Sequence, residues 1–304
     1  MAEVRVPAST SNLGPGFDCF GLALKLYLTV RATVLPGASE EACTVTTTGS
    51  RENEALPRNA ANLIYRAMTF AARREGLALP PVELKVHNEI PLASGLGSSA
   101  AAIVAGIKLC SVLTGHDLSD QTVQNYATEF EGHPDNVTAS LYGGFTIACL
   151  TRDRTVVSAK FEWPSHIRAV VVSPHSQLPT HVARAALART VMRGSAVHNL
   201  QRTALFTAAI AERRYELLWE AMKDQLHQPQ RESLVPGLAE ALALPRVPGL
   251  LGVALSGAGP SIFALATDHT DDIGARIASC FSAHKIESTL RTIDIDNDGC
   301  RLVQ

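Results

Sequence analysis

The run Pro91-Leu92-Ala93-Ser94-Gly95-Leu96-Gly97-Ser98-Ser99-Ala100, continued by Ala101 and Ala102, gathers the smallest side chains of the chain in one place. Residues 81–90 before it alternate as a strand, and residues 98–115 after it read as a mostly apolar helix. The first N–H groups of a helix lack intrahelical partners and carry the positive end of its dipole, so a loop in this position can hold an anion. Glycine lets a phosphate approach the backbone closely. Ser98 and Ser99 add hydroxyls for a phosphate oxygen or a metal ion. No lysine follows the second glycine, so this is not a Walker A loop. Gly95, Gly97 and Ala100 do satisfy the dinucleotide pattern GxGxxA, but Asp117 and Asp120 follow a helix where that pattern wants an acidic residue ending a strand. A phosphate cradle, a tight structural turn and a dinucleotide site all stand at this point, in that order.

Two more stretches are rich in turn residues. In PASTSNLGPGFDCFG (7–21), polar side chains at 9–12 precede Gly14, Pro15 and Gly16, and Asp18 follows between Phe17 and an apolar run. A carboxylate among apolar neighbours needs a partner, or else caps a turn. SGAGPS (256–261) lies between two apolar strands and alone would be a turn. Their places near the start, middle and end of the chain suggest three loops converging on one ligand.

The elements that must position these loops mix strands and helices irregularly. Strands are expected at 3–9, 22–35, 42–50, 81–90, 143–150, 155–161 and 168–174. Residues 250–266 read as strand, glycine turn, strand, and 287–296 as a last strand. Helices are expected at 59–76, 98–115, 119–132, 180–192, 195–210, 212–226 and 270–283. This is an α+β pattern rather than a doubly wound sheet. The segment 162–167, EWPSHI, is the best boundary and divides the 304 residues into 1–163 and 164–304. Lys plus Arg number 27 against 29 Asp plus Glu, which leaves no basic footprint for nucleic acid. The cysteines at 19, 43, 110, 149, 280 and 300 form no CxxC pair and read as reduced core residues. No apolar run reaches the ~20 residues of a membrane span, and the first ten residues lack a signal-peptide core, so the cytoplasm is the expected compartment.

Together the three stretches resemble the three motifs of the GHMP small-molecule kinases, and PLASGLGSSAAA looks like their ATP-phosphate loop. Within that superfamily the chain is similar to the homoserine kinase family. VPASTSNLGPGFDCFGLAL, EGHPDNVTASLYGG (131–144), THVAR (180–184) and HQPQR (227–231) look like its motifs and stand in its order. The resemblance runs from about Val4 to about Ala266. One departure is Leu187-Ala188, where the family usually shows Leu-Pro.

The resemblance implies a two-domain α+β GHMP kinase fold. Its N-terminal ATP-binding domain carries a left-handed βαβ unit, and its C-terminal domain is ferredoxin-like. It implies MgATP and L-homoserine as substrates, with O-phospho-L-homoserine and ADP as products, in threonine biosynthesis. ATP would lie on Pro91 through Ala100, with Asn62 near the adenine or serving only as a helix-surface amide. Mg²⁺ would be held by Ser98 and a helix carboxylate, Glu131 first and Glu129 second; without the resemblance both glutamates would read as a solvated helix face. Asp18 would meet the substrate ammonium. Asn12 and Asn136 would orient the hydroxyl end, Arg184 and Arg231 would grip the carboxylate, and Thr180 and His133 would line the same site. Related kinases place a carboxylate where this chain has Asn136. An amide cannot take a proton, so the hydroxyl would pass its proton to the phosphate itself. Nucleic acid and membrane are not expected partners, and a homodimer is left open. The alternatives are a GHMP kinase for threonine or another small alcohol, a non-catalytic binding regulator, and a dinucleotide oxidoreductase.

Overall fold

A computed structural model describes residues 1–37, 43–49, 53 and 56–303. The chain opens with a long antiparallel hairpin, β1 (Ala2–Asn12) and β2 (Gly16–Val34), whose register runs from Ala2 opposite Ala32 to Asn12 opposite Gly16. Most of the stretch read as a loop, 7–21, is therefore strand, and only residues 13–15 turn. Ser9, Thr10 and Ser11 are buried, and partners from other elements satisfy their hydroxyls. Tertiary contacts here override a local turn composition.

β3 (Cys43–Gly49) and β4 (Val82–Asn88) are parallel and are joined through α1 (Leu63–Glu75). The expected ends of that strand, Ala42 and Ser50, lie outside the described residues. α1 begins four residues later than expected because Asn62 caps it: its Oδ1 accepts from Ile64 N at 3.0 Å. α2 (Ser98–Thr114) is largely buried, as its apolar circumference predicts, and packs on α1 and β1. α3 (Asp120–Glu131) is capped by Ser119. α4 (Asp135–Tyr142), absent from the sequence expectation, leads into the hairpin β5 (Phe145–Leu150) and β6 (Val156–Phe161). The sheet order is β11-β1-β2-β4-β3, where β11 is Arg301–Val303 from the end of the chain, with β5 branching from β2.

After residues 162–167 the chain enters a second sheet at β7 (Arg168–Pro174). Five short or medium helices follow: α5 (Thr180–Ala185), α6 (Arg193–Ala211), α7 (Leu218–Ala221), α8 (Gln228–Arg231) and α9 (Leu238–Leu242). Then come β8 (Leu250–Leu255), β9 (Ile262–Ala266), α10 (Thr270–Ala283) and β10 (Ser288–Ile293). The order β10-β7-β9-β8, antiparallel throughout, is that of a ferredoxin-like split βαβ. The helices expected at 180–192 and 212–226 are shorter. The first stops at Ala185. The second breaks into a 3₁₀ turn (Tyr215–Leu217) and the single turn α7. Beyond α7 the Asp224 carboxylate accepts from the N–H groups of Leu226, His227 and Gln228, which starts a new helical turn.

A final strand, β11 (Arg301–Val303), returns to the first sheet and pairs with β1. The cysteines are free. Cys110 and Cys280 are buried as expected, but Cys149 is exposed on β5 beyond the packed part of the sheet. Burial pushes the Cys110 thiol up to about 11 and Cys300 to about 12, so neither is a nucleophile near neutrality. Among the described residues no helix is long and apolar enough to cross a membrane.

Candidate active site

The three glycine-rich stretches meet. Ser9 N donates to Leu96 O at 3.1 Å, Gly257 N to Ser11 O at 3.2 Å, and Ser261 N to Ser94 O at 3.1 Å. The Ser256 hydroxyl donates to Gly95 O at 2.7 Å. The packing is tight enough to dictate residue type. A Cβ on Gly95 would stand 2.2 Å from Ser256 O, and one on Gly97 2.2 Å from Ser9 Oγ. Both glycines also have positive φ, at +84° and +70°.

These contacts shape an open cavity of about 610 Å³. Its wall includes Asn12, Asp18, Pro91, Ala93 through Ser99, Glu131, His133, Asn136, Thr180, Arg184 and Arg231. At one end α2 starts at Ser98 with Gly97 as its cap, a residue with no side chain to bond the N–H groups of the first turn. Leu92 and Asn62 line an adjoining cavity of about 1040 Å³ instead, walled by Leu28, Leu56, Pro57, Leu63, Ile64 and Val86. The two cavities share Ala93, Ser98, Ser99 and Thr180. The Asn62 amide is spent on capping and on Pro57 O, and Ala100 is buried behind the loop.

The other end is charged. Asp18, held at φ +54° by Asn12 Oδ1 accepting its N–H, forms a two-pronged pair with Arg184: Nη2–Oδ1 is 2.6 Å and Nη1–Oδ2 is 3.1 Å. Thr180 lies one turn before Arg184 on α5. Arg231 is 1% exposed and, among the described residues, has no carboxylate in contact. Its Nε donates to Ala183 O, and its Nη1 to Gly257 O and His227 Nδ1. Burial first, then the charge of Arg184, lowers its pKa to about 10, still protonated at neutral pH.

Asn136 sits between these ends with a fixed amide. Its Oδ1 accepts from Ser9 Oγ at 3.0 Å and its Nδ2 donates to Ser11 Oγ at 3.0 Å. Its neighbour Asp135 is fully buried and accepts from Asn136 N and His133 Nδ1. Burial alone would raise the Asp135 pKa, but His133, the Asn136 N–H and the Ser11 hydroxyl hold it below the usual value. Burial opposes charge on His133, yet the Asp135 bond and charge outweigh it and raise that pKa. Glu131 closes the wall near the loop, where its Oε2 accepts from Ser99 Oγ at 2.8 Å. Glu129 points elsewhere, to an exposed pair with Arg74. Sequence reasoning missed Ser9, Ser11, Phe17, Asp135 and Gly257. All lie within the quoted motifs, so the signal was present but undivided.

A split βαβ half, a sheet with a parallel βαβ, and a glycine loop opening a helix between them form the GHMP kinase plan. The chain belongs to the GHMP kinase family: residues 62–144 match the GHMP kinases N terminal domain and residues 206–283 the GHMP kinases C terminal domain. Within it, the chain is similar to homoserine kinases. That of Deinococcus radiodurans is 44% identical over 259 residues, 85% of this chain and 82% of that protein. That of Desulfitobacterium hafniense is 37% identical over the whole of both chains. The crystal structure of homoserine kinase from Cytophaga hutchinsonii superimposes with a TM-score of 0.84 at 27% identity, covering 99% of this chain and 97% of that one. The fold and these relatives together make the chain an ATP-dependent kinase.

Proposed function

We propose that this kinase transfers the γ-phosphoryl group of ATP to the hydroxyl of L-homoserine, giving O-phospho-L-homoserine and ADP, in the cytoplasm as a step of threonine biosynthesis. One observation carries the reading. A carboxylate and two guanidinium groups, Asp18, Arg184 and Arg231, share one cavity with the open N-terminus of α2. An acceptor bearing both an ammonium and a carboxylate satisfies such a set, and a neutral sugar does not. On entry, the substrate ammonium would take over Asp18 and its carboxylate Arg184, exchanging one ion pair for two.

Phosphoryl transfer needs positioning and charge neutralisation more than covalent chemistry. Asn136 cannot accept a proton, and its amide is already oriented by Ser9 and Ser11. It would hold the hydroxyl in line, while the proton passes to a phosphate oxygen as the new O–P bond forms. Ser98 and Glu131 would hold Mg²⁺. The site fits that ion: a carboxylate and hydroxyls lie together beside the loop, and Mg²⁺ takes few protein carboxylates when phosphates supply the rest. Among the described residues no cluster of three His, Cys, Asp or Glu offers another metal cage. When bound, the ion neutralises phosphate charge, which the loop's partial charges do only incompletely. The same reading divides the chain at 163/164, with nucleotide on the first half and acceptor between the two.

The test is an acceptor panel. Purified protein with MgATP is offered homoserine, threonine, serine, mevalonate and galactose, and ADP release is followed. Homoserine is expected to turn over fastest; faster turnover of any other acceptor sinks the assignment.

A further inference from the structure

His227 is as deeply buried as Arg231, at 1% exposure, and the chemistry above does not use it. Its Nε2 lies 2.8 Å from Gly14 O. A carbonyl only accepts, so Nε2 must carry the proton and Nδ1 must be a lone pair. That lone pair accepts from Arg231 Nη1 at 3.2 Å. The ring is held flat by Phe17, stacked at 5.3 Å between centroids and 28° between planes. Phe17 in turn lies 5.7 Å from both Arg184 and Arg231. The fully buried Asp224 fixes the backbone beneath, accepting from His227 N. His227 and Arg231 are four residues apart, one helical turn, on the segment that Asp224 initiates.

The bond inventory of Arg231 gives this strut a purpose. Nε is spent on Ala183 O, and both protons of Nη1 on Gly257 O and His227 Nδ1. Only Nη2 keeps both its N–H groups. Removing the acceptor at Nδ1 leaves Nη1 held by Gly257 O alone and loosens the plane of the guanidinium.

We infer that His227 is a positioning residue that acts through Arg231, holding Nη1 so that Nη2 is the nitrogen offered to the acceptor's carboxylate. Its bond to Gly14 O fixes the tautomer, so that the nitrogen facing Arg231 is the one that accepts. The inference rests on the homoserine reading.

Two substitutions separate the ring nitrogens. His227→Gln places an amide nitrogen near Nε2 and keeps the Gly14 bond while losing the Nδ1 acceptor. His227→Asn places an oxygen near Nδ1 and loses the Gly14 bond. We expect His227→Gln to raise the homoserine KM by about 10-fold, with the ATP KM unchanged within about 2-fold, as for one lost hydrogen bond to a charged group. His227→Asn should stay within about 3-fold of the parent in both. In an Arg231→Ala background, His227→Gln should add almost nothing. Equal losses for Asn and Gln, or losses that multiply with Arg231→Ala, overturn the inference. If His227→Gln does not fold, the Asn arm still decides: a rise of about 10-fold there rejects it. If Arg231→Ala itself leaves the homoserine KM unchanged, the carboxylate assignment falls first and the inference with it.

Discussion

The phosphate end and the acceptor end of the cavity are built from different materials. The first is backbone and small hydroxyls from the single run 91–100, opening α2. The second is charged and amide side chains from β1, β2, α4, α5 and α8, held by one another, by serine hydroxyls and by backbone carbonyls of other segments. A backbone site can be written in one short stretch because every residue carries the same donor. A side-chain site must be gathered from distant positions, and its residues have meaning only after folding. The loop glycines show how the two interlock. They are required by Ser9 and Ser256 from the other stretches, so the tight structural turn and the phosphate cradle are one feature rather than rival readings.

The contrast can be broken most sharply where a side chain serves the phosphate end. Glu131→Gln keeps size and removes charge. It should lower kcat by at least ~100-fold, the loss of about 2.7 kcal/mol in the transition state, and raise the Mg²⁺ needed for half activity. Glu129→Gln, at an exposed residue paired with Arg74, should change little. If the two results are reversed, the metal carboxylate lies one half-turn earlier. A smaller effect is expected at the acceptor end. Arg231→Ala should raise the homoserine KM roughly ten- to a hundredfold, with Arg184→Ala acting in the same direction and the ATP KM little changed. Loss of ATP binding instead would mean that the ends are not separable.

The smallest effect is on stability. Burial, and next the charge of Arg231, push the His227 pKa below its ordinary 6.5, against the pull of Asp224 and Asp18. As pH falls below about 6.5 the unfolded chain binds the proton and the folded one does not. The folded state therefore loses up to about 1.4 kcal/mol for each pH unit until the folded pKa is reached. Urea midpoints at pH 7.5 and 5.5 should show a drop in the parent that is smaller in His227→Asn. An equal drop in both assigns the acid sensitivity to other groups.

Much of this was legible in the residues. The strand–loop–helix around 91–102 and the helix at 119–132 follow from periodicity and capping. The motif residues Asn12, Asp18, Glu131, His133, Asn136, Thr180, Arg184 and Arg231 do line one cavity. What stayed hidden is relational. That Asp18 and Arg184 hold each other, or that Asn62 spends its amide on a cap, depends on which neighbours folding supplies. α4 was concealed in the motif HPDN, where the buried Asp135 accepts from His133 and Asn136 N and the half-buried Asn136 is held by Ser9 and Ser11. The overlong helix at 212–226 shows the opposite error. Its apolar spacing was helical, but Asp224 competes for the backbone and ends the run.

β11 has a consequence for how the protein is made. Glu3 lies opposite Val303, roughly three hundred positions away. Nearby, Asp296 accepts from the Tyr27 hydroxyl at 2.7 Å, and its backbone pairs with Ala23 and Gly144. The stretch Glu3–Arg5 at the edge of the first sheet thus stays unpaired on that side until residues near 300 have been synthesised, however early β1 and β2 pair. An uncovered edge strand is a template for another chain, and closing so long a loop is slow. That part of the edge is therefore exposed through almost the entire synthesis of the chain.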